Sequence, residues 1–205
     1  MLMRLDKLVK KYEIEPKGLL HLGAHEGEEA FEYDLLGFKP VVWVEADPDT
    51  FKRMNKHVSH YDENFAICAL ISDVGGVKTK FNIANNGQSS SMLELGTHKR
   101  EHPEVHYEGS VQMVTRTVDD LGVDFRGFNF LNMDLQGAEG LAVKGAKRFL
   151  AHTDYIMSEI NKRELYKGCV LVDELDALLP DFERVETMWT RHGWGDAFYV
   201  RKSLL

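Results

Sequence analysis

Leu19-Leu20-His21-Leu22-Gly23-Ala24-His25-Glu26-Gly27 is an apolar run that breaks into glycines and opens directly onto an amphipathic segment. It reads as a strand, a tight turn and a helix start. Ala30, Phe31, Leu35 and Leu36 follow at helical spacing, and Gly37 supplies the stop. This is the first β-loop-α unit of an open α/β sheet, a fold that binds its ligands beyond the carboxyl ends of the strands.

Working outward, Leu2, Leu5, Leu8, Val9 and Tyr12 recur at three and four residues, which predicts an amphipathic helix within residues 1–16, ending before Pro16 and capping the sheet edge. On the other side, Val41-Val42-Trp43-Val44-Glu45 is a continuous apolar run ending in a carboxylate, as expected of a buried parallel strand. Asp47-Pro48 starts a helix carrying Phe51, Met54 and Val58, and Asn64 to Ile71 gives a third strand. Val77 to Ile83 predicts a short strand. Residues 84–110, with Asn85-Asn86-Gly87-Gln88-Ser89-Ser90-Ser91 at their start, lack periodicity and are long for a connection, so they predict a substrate loop or lid that includes Ser90 and Ser91. Val111, Met113, Thr115 and Thr117 alternate as a half-exposed strand. Phe128 to Met133 leads into Asp134, a helix spans Gly137 to Leu150, and Tyr155 to Glu159 is a strand ending in a second carboxylate. After a helix near Leu171 to Leu179, the strands Phe182 to Trp189 and Ala197 to Arg201 are separated by too few residues for a crossover, so they pair as an antiparallel hairpin. The fold class is α/β, a single domain over residues 1–205 with a doubly wound, mostly parallel sheet ending in that hairpin.

Composition narrows the function. A chain of 205 residues, 43% hydrophobic and 28% charged, suits one domain, and its net charge of −8 argues against a nucleic-acid partner, which needs clustered Lys and Arg. No apolar run reaches the roughly 18 residues that cross a membrane, and the first 16 residues lack a signal-peptide core. Cys68 and Cys169 stand apart beside apolar residues and read as reduced thiols, which suggests the cytoplasm.

The opening turn is not a dinucleotide fingerprint. With the first glycine of G-x-G-x-x-G on Gly23, the second falls on His25 and the third on Glu28. Glu26, Glu28 and Glu29 crowd the helix start, where they repel a pyrophosphate and tolerate a cofactor carrying a sulfonium and an ammonium; they also serve simply to complement the helix dipole. Glu45 follows Gly23 by 22 residues, near the offset at which an acid accepts hydrogen bonds from ribose hydroxyls. An adenosine-containing cofactor is expected in either case, so an NAD(P)-dependent oxidoreductase stays open here as the alternative enzyme. His98, His102 and His106 share helical spacing, but Pro103 interrupts it and no carboxylate pattern completes a metal site. Trp189 and Trp194 read as packing residues before pocket walls.

Five pieces in order, Gly23-Ala24-His25-Glu26-Gly27, Val44-Glu45-Ala46-Asp47-Pro48, Ala69-Leu70 with Asp73 and Gly76, Thr117-Val118-Asp119-Asp120-Leu121, and Asp134-Leu135-Gln136-Gly137-Ala138-Glu139, resemble the FkbM family of S-adenosylmethionine-dependent methyltransferases. The closing Trp194 to Val200 is similar to that family's end. The resemblance implies a Rossmann-like class I methyltransferase fold whose cofactor yields S-adenosylhomocysteine. It places His21, Gly23, Ala24, His25 and Gly27 around the methionine moiety and Glu45 on the ribose, with Ala46 and Asp47 beside it. Cys68 and Ala69 then fall near adenine, and Asp134 near the reacting end. It implies O-methylation of a hydroxylated small molecule or sugar, with Gln136 and His192 joining the two serines on the acceptor side; a silent cofactor-binding relative is the other alternative. Candidate bases for a hydroxyl acceptor are Asp134 first, then Glu159, with His192 behind them. His21, His25 and Gln136 stand where the family typically has Asp, Asn and Glu, which removes charge near a sulfonium while Gln136 keeps its hydrogen bonds.

Overall fold

The computed structural model describes residues 2–205. Seven strands form the main sheet: β1 (Gly18–Leu22), β2 (Val41–Glu45), β3 (Asn64–Cys68), β7 (Phe128–Met133), β8 (Tyr155–Asn161), β9 (Phe182–Trp189) and β10 (Trp194–Arg201). Their order is β3-β2-β1-β7-β8-β10-β9. The first five run parallel, and β10 is antiparallel to both β8 and β9. The closing hairpin is therefore present, with β10 inserted between its partner and the parallel strands. β1 is bordered by β2 on one side and β7 on the other, so strand order reverses at β1 and opens a crevice at its carboxyl end.

The buried runs have period two. Leu20, Leu22, Val42, Val44, Leu131 and Met133 face α5 (Glu139–Lys144), α6 (Lys147–Leu150) and α7 (Val172–Leu178). Leu19, Trp43, Phe130 and Phe198 face the other way, onto α1 (Leu5–Lys11), α2 (Ala30–Leu36) and α3 (Pro48–Val58). This alternation buries both faces of the sheet and makes each strand apolar throughout. α1 lies over the far end of the sheet, where Tyr12 meets Phe198 at 5.2 Å and donates to Glu186 at 2.9 Å. No helix among the described residues is long and apolar enough to cross a membrane.

Three expected elements differ. The third strand divides at Ala69: β3 stays in the main sheet, while β4 (Leu70–Ile71) pairs with β6 (Tyr107–Arg116), itself paired with β5 (Lys78–Ala84), to make a second, three-stranded sheet. The expected loop 84–110 thus ends inside β6, and it also carries the short α4 (His98–Glu101). The helix from Gly137 to Leu150 is two, because at Gly145 the chain passes so close to Ser72 that a Cβ would lie 2.4 Å from its carbonyl oxygen. The helix after the first turn starts at Ala30 rather than near Glu26, since Gly23, His25 and Gly27 all take positive φ.

Gly23 is where the two halves of the sheet meet. Its φ is 76°, and a Cβ there would lie 1.9 Å from the Asp134 carbonyl oxygen. Gly23→Ala is expected to cost roughly 2–4 kcal/mol, from the left-handed backbone and the backbone clash together. Urea unfolding measures it; a loss below about 1 kcal/mol means the turn relaxes freely.

Candidate active site

The crevice at the β1–β7 reversal is a cavity of about 480 Å³, within the usual size range for small-molecule sites. Its first wall is the turn after β1. The Gly23 and Ala24 amides both donate to Val44 O, at 2.9 and 3.0 Å, which binds this turn to β2. At the end of β2, Glu45 accepts from the His25 amide (2.9 Å) through one oxygen and from the Asp47 amide (2.8 Å) through the other. Burial nevertheless outweighs these donors and pushes the Glu45 carboxyl up to about 7. The His25 ring lies 2.6 Å from Glu28, whose carboxylate raises the histidine's pKa.

His21 belongs to a buried polar cluster beneath this turn. Its Nδ1 is 3.1 Å from the Tyr33 hydroxyl, which also accepts from the Asn132 amide at 2.7 Å. Trp43 stacks on Tyr33, and burial keeps the imidazole pKa down. A neutral ring fits this setting where a carboxylate would lack a counter-charge.

The middle of the cavity is a bridge built on Gln136. Its Nε2 donates to Asp134 Oδ1 at 2.5 Å and to Glu159 Oε2 at 2.8 Å, and its Oε1 accepts from the Tyr166 hydroxyl at 2.5 Å. Gln136 and Gly137 both take positive φ, and Glu139 closes the turn by accepting from the Leu135 and Gly137 amides. Burial, reinforced by Asp134 and Glu139, holds the Glu159 carboxyl well above the usual range. That environment favours the protonated form of Glu159.

Of the residues singled out in the sequence, His21, Gly23, Ala24, His25, Glu45, Ala46, Ala69, Ser90, Asp134, Gln136 and Glu159 line the cavity. The remaining five stand outside the wall. Gly27 turns against Val58 and Met54, while Asp47 caps α3, accepting from the Asp49 and Thr50 amides at 3.3 Å. The exposed Cys68 thiol points to Ala46 O, Ser91 donates to the Gln136 carbonyl, and His192 pairs with Glu101 at 3.4 Å. Sequence reasoning missed His98, Tyr166 and the wall role of Trp194, which reach the cavity from α4, the β8–α7 connection and the start of β10. Trp194 carried a local signal, an aromatic residue in a hairpin.

The lining has a pronounced charge bias. Glu28, Glu29, Glu45, Glu104, Asp134 and Glu159 contribute to it, and no Lys or Arg does among the described residues. Such a wall favours cationic and neutral ligands over phosphates. No group of three His, Cys, Asp or Glu side chains that can hold a metal ion occurs among the described residues.

Comparison with known proteins agrees with this geometry. Residues 21–188 match the methyltransferase FkbM domain. The 2-O-methyltransferase NoeI of Sinorhizobium fredii is 28% identical over 177 residues, covering 82% of this chain and 72% of that protein. Among solved structures, the fold is shared with magnesium protoporphyrin IX methyltransferase from Synechocystis PCC 6803 with bound SAM, at TM-score 0.54 and 10% identity, over 96% of this chain and 77% of the other. It is also shared with Aeropyrum pernix fibrillarin in complex with S-adenosyl-L-methionine, at TM-score 0.51 and 16% identity, over 91% and 67%.

The folded chain holds the Glu159 proton to higher pH than an unfolded chain, whose carboxyl ionises near 4.5. This group's stabilisation is complete below that value and is lost as pH rises through the raised one. Glu159→Gln is expected to stay within about 1 kcal/mol of wild type at pH 5 and to be the more stable of the two at pH 8. Urea midpoints across this range read the outcome, and an unchanged pH slope would count against a protonated Glu159.

Proposed function

The chain belongs to the FkbM methyltransferase family, and on that premise we propose that it transfers the methyl group of S-adenosylmethionine to a hydroxyl of an uncharged small molecule or sugar. The observation that carries the cofactor assignment is the anionic wall around the Gly23 turn, which suits a ligand bearing a sulfonium and an ammonium and opposes a dinucleotide pyrophosphate. When bound, the cofactor supplies an electrophilic methyl carbon. Gly23 and Ala24 leave room for its methionine part, and the Glu45 oxygens, each with a lone pair beyond its backbone bond, accept from the ribose hydroxyls. Ala69, Leu70 and Ile71 offer an apolar wall for adenine.

Asp134 then faces the reacting end, fixed by the Gln136 amide, and Glu159 donates its proton in a hydrogen bond to the acceptor. Methyl transfer by in-line displacement depends mainly on holding donor and acceptor together, a contribution of roughly 7–11 kcal/mol. The acceptor class draws support from the relative named a 2-O-methyltransferase. Trp194, Ser90 and the residues around His98 add an aromatic face with polar neighbours, the usual lining for a sugar. The wall's acidity disfavours phosphorylated acceptors. Two free cysteines accord with a cytoplasmic setting.

Calorimetry with S-adenosylmethionine, S-adenosylhomocysteine and NADH tests the cofactor. Both sulfur compounds are expected to bind and NADH to give no heat; the reverse pattern would sink the proposal. Because the Glu45 carboxyl ionises near 7 and its charged form is the better acceptor, S-adenosylmethionine is expected to bind about tenfold more tightly at pH 8 than at pH 6. Glu45→Ala should flatten this dependence.

A further inference from the structure

The proposed methyl transfer needs a group to take one proton. An alcohol that attacks a methyl carbon must lose its hydroxyl proton, and burial raises the Glu159 carboxyl in a way that favours its protonated form. Asp134 faces the donor end with one oxygen engaged by Gln136. A third group stands at the acceptor end. His98 is 5% exposed, lines the cavity, and has its Nδ1 enclosed with no hydrogen-bond partner among the described residues. A buried polar atom left unpaired is costly, and native structures usually reserve such an atom for a ligand or water.

The position of this ring is held from two sides. The Gly96, Thr97 and His98 amides donate to the Leu165 and Glu164 carbonyls at 2.7, 2.9 and 3.2 Å, tying the start of α4 to the β8–α7 connection. The ring packs at 5.3 Å from that of Tyr166, whose hydroxyl donates to Gln136 Oε1, and at 5.0 Å from that of His102. His98 therefore adjoins the Gln136 bridge without being consumed by it. The titratable groups around it are His102 and Glu104 from its own segment, Tyr166 from the β8–α7 connection, and His192 of the β9–β10 turn, whose ring lies tilted against that of His102 with centroids 4.7 Å apart.

We propose that His98 is the general base of this site, accepting the hydroxyl proton of a sugar-like acceptor on an imidazole nitrogen. This assignment rests on the methyltransferase reading above. As the acceptor oxygen forms its bond to the methyl carbon, the sulfur–methyl bond breaks with its electron pair left on sulfur. The hydroxyl proton passes to the imidazole and afterwards to water. Burial, and secondarily the neighbouring His102, lower the His98 pKa, so the ring is neutral and able to accept a proton at pH 7.

The test uses the full chain with S-adenosylmethionine and the methyl glycosides of glucose, galactose, mannose and fucose, following S-adenosylhomocysteine release. At saturating cofactor and glycoside, where Glu45 no longer limits binding, wild-type kcat is expected to rise with pH through an acid limb below 6.5. His98→Gln should lower kcat at least about 100-fold and abolish that limb. It should bind S-adenosylhomocysteine within threefold of wild type, while His102→Gln keeps the limb. Imidazole added to His98→Ala should restore part of the rate. A His98→Gln enzyme that keeps more than a tenth of wild-type kcat, or the same acid limb, overturns the assignment. A wild-type enzyme that binds S-adenosylhomocysteine and methylates none of the glycosides overturns the acceptor reading, and the base with it. Should His98→Gln fail to fold, the imidazole resonance of wild-type His98 decides: it should titrate below 6.5 and shift when glycoside joins the S-adenosylhomocysteine complex. A resonance indifferent to glycoside rejects the proposal.

Discussion

The contact between two backbones at the carboxyl end of β1 governs the rest of the molecule. The Asp134 amide donates to Leu22 O at 3.0 Å, and the Asp134 carbonyl occupies the space that any side chain at position 23 would need. Neither strand can end elsewhere without breaking this contact. It brings the turn after β1 within reach of the turn after β7, which carries Asp134 and Gln136, so that both line the cavity. Two segments more than a hundred residues apart thereby become one wall.

That wall concentrates acidity and then disposes of it by three different means. Glu28 finds a counter-charge in His25, Glu45 is held by backbone amides, and burial favours the protonated form of Glu159. Gln136 is central to the third solution. A neutral amide donates to two carboxyl groups at once and still accepts from Tyr166, whereas a glutamate at this position would set three acids against one another. The same logic explains His21: inside a cluster of Tyr33, Asn132 and Trp43, a neutral ring is the group that burial tolerates.

Much of this was legible in the chain. Apolar runs of five or six residues marked β1, β2 and β7 because strands buried on both faces need no polar alternation. The short spacing before Trp194 marked the hairpin, and Glu45 ended its strand beside the glycine turn as its offset suggested. The second sheet was not legible, since β4 is two residues long and β6 has a largely exposed face. Asp47 looked like a ligand, although Asp-Pro followed by Thr50 is also the signature of a helix cap, and the cap is what it forms. Tyr166 carried no local signal, and the helical spacing of His98 with His102 and His106 raised only a metal site, because the place of both in the cavity wall arises where distant connections meet.

The division of the third strand at Ala69 has an architectural consequence. Ala69, in the cavity wall, runs directly into β4, and β4 pairs into the small sheet from which residues 85–106 extend along the cavity. That segment extends from a three-stranded sheet of its own, and it is tied to the main frame by Ser91 on the Gln136 carbonyl and by the Gly96, Thr97 and His98 amides on the Leu165 and Glu164 carbonyls. Change in that segment, by drift or by grafting from a relative, leaves the main sheet's hydrogen-bond ladder untouched. The main sheet and the segment beside the cavity are thus built on separate hydrogen-bond ladders.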